Sequence, residues 1–331
     1  MEVVSGVYQI EVPFPGGKGR YTNVYVLEGQ DGHVLIDSGW GDLEAFSALR
    51  EGLTREHLKF KDIKRIVITH IHPDHYGLAG RVKEFCGAEM VMHRLSAELI
   101  PSRYIATGEL LEQVEEELSR NGVPMSELQG MRREALSLEQ FVSPCLPDTV
   151  LDGGDSFSNG LFNFEAIHTP GHSPDHLCLY EPGRQFLFSG DHILPDSVPH
   201  VGLHPQSGDN PLGDYLASLQ AVGSLKVKFV FPGHGSVFNG LNLRVEEIGR
   251  AHEQRKRDVL NTVRNDLKTA YQIAAELFWN DDCGEVAFRN LACWGKRMAV
   301  QESMAYLSLL VREDKVGAIE KKGVPLYLSK E

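Results

Sequence analysis

Thr69-His70-Ile71-His72-Pro73-Asp74-His75 follows directly on Arg65-Ile66-Val67-Ile68, an apolar run that reads as a buried strand. Four side chains able to bind a cation, His70, His72, Asp74 and His75, fall within six residues. Pro73 helps to set the turn between them. A lone histidine is most often a hydrogen-bonded core residue. A loop this loaded with imidazole and carboxylate would be polar ballast unless it held a metal. The end of a strand is also where α/β folds place chemistry, because a rigid sheet holds the loop while its side chains face a cleft.

Three later segments repeat one design, a strand running into a glycine and then a ligand-type residue: Thr169-Pro170-Gly171-His172, Ser189-Gly190-Asp191-His192 and Phe231-Pro232-Gly233-His234. Glycine lets the chain turn tightly or pass close to a neighbour, so the next residue can point into a shared site. Each segment is weak alone, and together with the first motif they are strong.

Outward from these motifs, short strands are expected at 7–12, 23–27, 33–37, 65–69, 88–93, 162–167, 177–180, 185–188 and 227–231, with Gly16-Gly17 and Asp31-Gly32 as turns. Helices are expected at about 42–50 and 212–223. Residues 94–140 switch to helical periodicity and form an insertion reaching to about 147. From about Leu243 come a long charged helix to about Leu267, a helix opening at Thr269, another near 299–311, and a hairpin around Lys322-Gly323. The expected division is 1–243 for a sheet sandwich covered by helices and 244–331 for a small winged-helix-like α+β domain.

The chain has 331 residues, is 42% hydrophobic and carries a formal charge of −13. It can bury a large core. Residues 246–331 hold 14 acidic and 14 basic side chains, so the acidity lies in the first part and the tail is neutral. This argues against affinity built on neutralising phosphates. Five scattered cysteines (Cys86, Cys145, Cys178, Cys283, Cys293) without a Cys-x-x-Cys pair fit reduced thiols. With no signal-like start and no long apolar run, the expected location is the cytoplasm.

The order His-x-His-x-Asp-His, Gly-His, Gly-Asp, Gly-His resembles the metallo-β-lactamase superfamily over about residues 5–240. The resemblance implies an αββα sandwich of two mixed sheets flanked by helices. It implies that His70, His72 and His172 bind one metal, that Asp74, His75 and His234 bind another, and that Asp191 bridges them. Asp74 would also orient water. Asp37, in Val34-Leu35-Ile36-Asp37, matches a strand-end aspartate that orients ligands, although a turn-forming aspartate would read the same way. His176 falls at a second family histidine and would support a ligand or touch substrate, although a histidine that merely opens the next strand would read the same way, and Asp175 stands where many relatives have glycine. Tyr76 reads as an aromatic covering the metal loop, with a hydrogen bond to substrate as its alternative, and His93 and His192 read as packing or supporting residues. The stretch 194–211 reads as a pocket rim whose His200 and His204 are solvated.

Two divalent metals sharing a hydroxide would attack an electrophilic carbon or phosphorus without a serine or cysteine nucleophile. Imidazole plus carboxylate suits zinc, and iron or manganese would also be accepted. The ligand set resembles hydroxyacylglutathione hydrolase and the lactonases, which implies cleavage of a thioester, ester or lactone of a small molecule. The tail resembles that of the β-lactamase-like protein 2 group (Ala251-His252-Glu253-Gln254-Arg255; Glu302-Ser303-Met304-Ala305-Tyr306-Leu307), which includes a single-strand endoribonuclease. Phosphodiester cleavage is therefore the rival reading, against which the charge distribution weighs. The tail itself reads as structural or dimer-forming. A non-catalytic metal-binding module is the third reading, and the complete ligand set weighs against it.

Overall fold

A computed structural model describes residues 1–15, 20–281 and 284–330; Gly16-Gly17 and Cys283 lie outside the described residues. Seven strands pair in chain order in the first sheet: β1 (Glu2–Val4), β2 (Val7–Pro13), β3 (Tyr21–Leu27), β4 (His33–Ile36), β5 (Ile63–Val67), β6 (Glu89–His93) and β7 (Thr149–Leu151). The first four run antiparallel and β4 to β7 run parallel. The second sheet, in spatial order, is β12 (Phe229–Pro232), β11 (Phe186–Gly190), β10 (Leu177–Glu181), β9 (Asn163–His168) and β8 (Ser156–Ser158). Only its β11/β12 pair is parallel.

The period-2 alternation of the strands creates the layers. Tyr25, Leu27, Val34, Ile36 and Val67 point between the sheets, where they meet Phe164, Leu179, Phe188 and Phe231. Their neighbours Val24, Val26, Leu35 and Ile66 point the other way, onto Ala45, Phe46, Leu49 and Leu53 of α1 (Leu43–Arg55) and Val82 of α3 (Ala79–Cys86), which follows the single turn α2 (Pro73–Tyr76). The side chain of Asp42 caps α1 by accepting from the Ala45 N–H at 2.8 Å. The result is the expected αββα sandwich of two mixed sheets.

The insertion forms α4 (Arg94–Ile100), a π turn at Pro101–Ile105, α5 (Gly108–Arg120) and α6 (Met125–Glu139). After α7 (Pro211–Gly223) the tail contributes α8 (Leu241–Thr262), α9 (Ala270–Glu276), the pair β13 (Phe278–Asp281) and β14 (Gly284–Ala287), α10 (Cys293–Arg312) and the hairpin β15 (Val316–Lys321) and β16 (Val324–Ser329). A capping box between Thr269 and Gln272 opens α9 where the composition changes. Two expectations shift. The long tail helix stops at Thr262, and the last one starts earlier, at Cys293. Val114 and Leu118 of α5, Leu128 and Met131 of α6, Leu219 of α7, Ile273 of α9 and Leu310 of α10 share one apolar cluster with Leu187 and Val230 of the second sheet. The tail and the insertion thus serve as that sheet's outer layer. Among the described residues no helix is long and apolar enough to cross a membrane.

Candidate active site

Because β9, β11 and β12 run in the same sense, their C-terminal ends lie along one edge of the second sheet. His172, Asp191 and His234 follow those ends, and the His70–His75 loop follows β5 in the facing sheet. The turns are stitched together through the backbone: the Leu177 N–H donates to the Thr69 carbonyl and the Gly233 N–H to the Gly190 carbonyl, each at 2.8 Å. Across the sandwich, Asn23 Nδ2 donates to the Pro232 and Gly235 carbonyls at 3.0 and 2.7 Å, gripping the turn that carries His234.

The convergent side chains form two adjoining groups, His70/His72/His172 and Asp74/His75/Asp191/His234, within each of which the ligand-type atoms lie no more than 4.8 Å apart. All seven residues singled out in the sequence are brought together. His70 Nε2 lies 3.0 Å from His72 Nδ1, and His75 Nε2 lies 3.3 Å from His234 Nε2. Asp191 faces both groups, with Oδ2 at 3.6 Å from His172 Nε2 and 3.4 Å from His234 Nε2, and Oδ1 at 3.3 Å from His75 Nε2. Asp74 Oδ2 lies 3.1 Å from His234 Nε2.

The outward nitrogens explain why the inward ones converge. His172 Nδ1 donates to the His200 carbonyl, His234 Nδ1 to the Tyr21 carbonyl and His75 Nδ1 to Asp37 Oδ2, each at 2.8 Å. In all three rings this leaves Nε2 aimed at the centre. Asp37 does more than hold His75. It accepts from the N–H and hydroxyl of Thr69, whose oxygen lies 3.1 Å from His70 Nδ1, so one carboxylate orients a histidine in each group. Asp37 takes a left-handed backbone with φ of 60°, which a non-glycine residue adopts at a cost in strain.

Burial, and then the imidazoles of His75 and His72, hold His70 well below the ordinary histidine range. His72 is lowered in the same way, by burial and His172. Burial would also lower His75 and His234, yet the Asp191 and Asp74 carboxylates raise both, His234 to about 10. Burial alone would raise Asp191, but His234 and His75 pull it well below the carboxylate range. One group is neutral imidazole, and in the other ionised carboxylates hold the imidazoles of His75 and His234 toward their protonated form.

The residues fit divalent ions. Buried His172 Nε2 and Asp191 Oδ1 have no hydrogen-bond partner, which is costly for a group built only for structure. A Cβ on Gly233 would run into Asp191 Oδ1 and His75, so this glycine keeps the cradle open.

His176 is fully buried, accepts the Asp191 N–H at 3.1 Å and bonds Thr169 Oγ1 at 2.7 Å. It supports the Asp191 backbone. Tyr76 is buried, its hydroxyl bonded to the Cys145 carbonyl and N–H at 2.6 Å, so it covers the loop. His93 stacks on His168 at 4.1 Å and His192 packs on Tyr215. Asp175 is buried against Ser96 and Ser173. His200 and His204 correct the expectation of solvated rim residues. The His200 ring bonds the Met298 carbonyl at 3.0 Å, and the His204 ring accepts the Gln206 N–H at 3.2 Å. The rim is folded onto α10 instead of lying open. Thr69 was quoted only as part of the motif, and the carbonyls of Tyr21 and His200 leave no mark in side-chain chemistry.

A helix-covered sandwich of two mixed sheets with adjoining His and His/Asp groups at its strand ends defines a metal-dependent hydrolase. A model of the metallo-beta-lactamase superfamily matches residues 17–234, and the chain belongs to that superfamily. It is 29% identical over 279 residues to a protein of Bacillus subtilis named probable metallo-hydrolase YqjP, covering 82% of this chain and 85% of that one. It is 28% identical over 247 residues to human acyl-coenzyme A thioesterase MBLAC2, covering 72% and 81%. Among solved structures, a metallo-beta-lactamase family protein of Thermus thermophilus superposes with a TM-score of 0.84 at 26% identity, covering 99% of this chain and 100% of that one.

Proposed function

We propose that the protein hydrolyses an acyl bond of a small molecule, a thioester before an ester or lactone, at a two-metal centre. In this reading His70, His72 and His172 hold one ion, Asp74, His75 and His234 hold the other, and Asp191 serves both. Zinc suits the donors best, with iron or manganese as substitutes. The observation that carries the reading is the pair of adjoining donor groups with unpartnered His172 Nε2 and Asp191 Oδ1 turned into them. Two divalent ions, when bound, acidify a shared water toward neutrality and polarise the scissile carbonyl. The chain's own residues do the rest. Asp37 and Thr69 lock two histidines in orientation, and Asp74, partly open to solvent, is the carboxylate placed to orient the attacking water.

The thioester preference draws support from the human relative's name and from the charge distribution. An acidic body with a neutral tail is a poor track for single-stranded RNA. Tyr104 donates to the Ile71 carbonyl at 2.6 Å, between two ligand histidines, which suits the insertion to roofing a small-molecule pocket. We also read 244–331 as a second, winged-helix-type unit with a structural or dimer-forming role.

The test is purified, metal-loaded protein on thioesters, lactones and single-stranded RNA, beside Asp191→Ala. Thioester turnover should dominate and fall by about two to three orders of magnitude in the variant, consistent with loss of a group that orients the reacting atoms. RNA cleavage that depends on Asp191, without acyl hydrolysis, would reverse the assignment.

A further inference from the structure

Two arginines reach the rim of the metal site from different elements, and neither has an ion-pair partner among the described residues. Arg103 lies in the π turn after α4, beside Tyr104, whose hydroxyl holds the Ile71 carbonyl. Arg297 lies on α10, in the tail. The rim loop joins them. Gln206 Oε1 accepts from Arg103 at 3.3 Å, the His200 ring bonds the Met298 carbonyl and the Leu203 N–H donates to the Gln301 carbonyl at 2.9 Å.

Arg297 Nε and Gln301 Nε2 are both buried donors without a partner. They stand four residues apart, one turn along the same helix face. After burial, the guanidiniums of Arg103 and Arg297 are the next forces lowering His204, so both charges converge on that point of the rim. The carboxylate that acts on Arg297 is Glu117, which burial raises to about 7, so near neutrality it offsets the arginine only in part. A chain with a net charge of −13 has thus kept two guanidiniums without an ion pair beside the rim loop. Unpaired buried donors of this kind are complementary to an anion, and planar guanidinium matches carboxylate or phosphate.

We propose that Arg103 and Arg297, with Gln301, form a subsite for an anionic group, phosphate or carboxylate, that the substrate carries away from its scissile bond. This rests on the acyl-hydrolase reading and narrows it to substrates with a charged handle. It also gives the tail a part in specificity, since Arg297 and Gln301 belong to residues 244–331.

The experiment attaches one acyl group to coenzyme A (phosphates), glutathione (carboxylates) and N-acetylcysteamine (neutral), and measures kcat and KM for the wild type, Arg103→Gln and Arg297→Gln. The loss for the preferred anionic thioester should exceed the loss for the neutral one by about ten- to a hundredfold and lie mainly in KM. The two anionic thiols separate phosphate from carboxylate. Equal losses on all three thioesters, or none, overturn the subsite. A second readout uses metal-free protein titrated calorimetrically with inorganic phosphate and with succinate. Binding that weakens about tenfold or more in either variant, with an unchanged circular dichroism spectrum, sustains it. If the wild type cleaves none of the thioesters, the acyl reading falls and the calorimetry decides the subsite alone: arginine-dependent anion binding keeps it, and its absence removes it.

Discussion

At the scale of single residues, the site depends on groups that never touch a ligand. Asp37 holds His75 directly and His70 through Thr69. Asp37→Ala should therefore weaken metal binding by about 10- to 100-fold, as loss of an orienting partner does. Competition titration with a chelating dye measures this, and unchanged affinity would show that the rings are held by packing alone. Gly233→Ala alters no ligand and no charge, yet its methyl would meet Asp191 and His75. The purified variant should carry less than about half the wild-type metal by elemental analysis, because a donor group forced off position loses affinity steeply. Full metal content would mean that the turn shifts freely, against the grip of Asn23 on Pro232 and Gly235.

At the scale of elements, the tail and the insertion act as packing partners of the second sheet. Leu118 of α5, Ile273 of α9 and Leu310 of α10 share a cluster with Leu187 and Val230. Deleting 244–331 would open that apolar layer to water at about 25 cal/mol per Å² exposed. The truncated chain should elute as aggregate in size-exclusion chromatography, whereas a monomeric, cooperatively melting 1–243 fragment would show that the sandwich needs no cover. The same contacts reach the proposed metal centre. Helix α10 anchors the His200 ring, and the His200 carbonyl sets the His172 ring. The tail therefore acts on the His172 ring from two contacts away.

Over the whole molecule, acid stability follows from histidines kept neutral by burial. His252, bonded to Tyr306, is lowered to about 4 by burial and then by Arg255, and His93 to about 4 by burial and then by His168. The unfolded chain takes up these protons near pH 6.5, and the folded chain does so only near 4. Stability should thus be full above about 6.5 and fall as pH drops toward 4. A melting temperature that declines across this window, and declines less steeply in His252→Gln, is the expected result. A flat profile from 6.5 to 4 would contradict it.

Strand alternation and the dense His70–His75 loop are local in origin, since side-chain period and ligand type are properties of a few consecutive residues, and they sufficed for the sandwich, the insertion and the seven convergent side chains. Which of Asp37's two readings applied could not be decided locally, because Thr69 and His75 meet it only when β4 and β5 lie side by side. The bond from the Asp191 N–H to His176 was equally illegible, because the two are 15 residues apart and meet only in the packed chain. The rim histidines were misjudged because a polar, proline-rich stretch looks solvated unless the helix that covers it is known, and that helix begins about 90 residues later. Sequence alone thus determined the fold class and picked out the seven side chains that converge. Tertiary structure decided how the donors are aimed and joined Arg103 to Arg297, because carbonyl anchors and contacts between distant elements exist only in the packed chain.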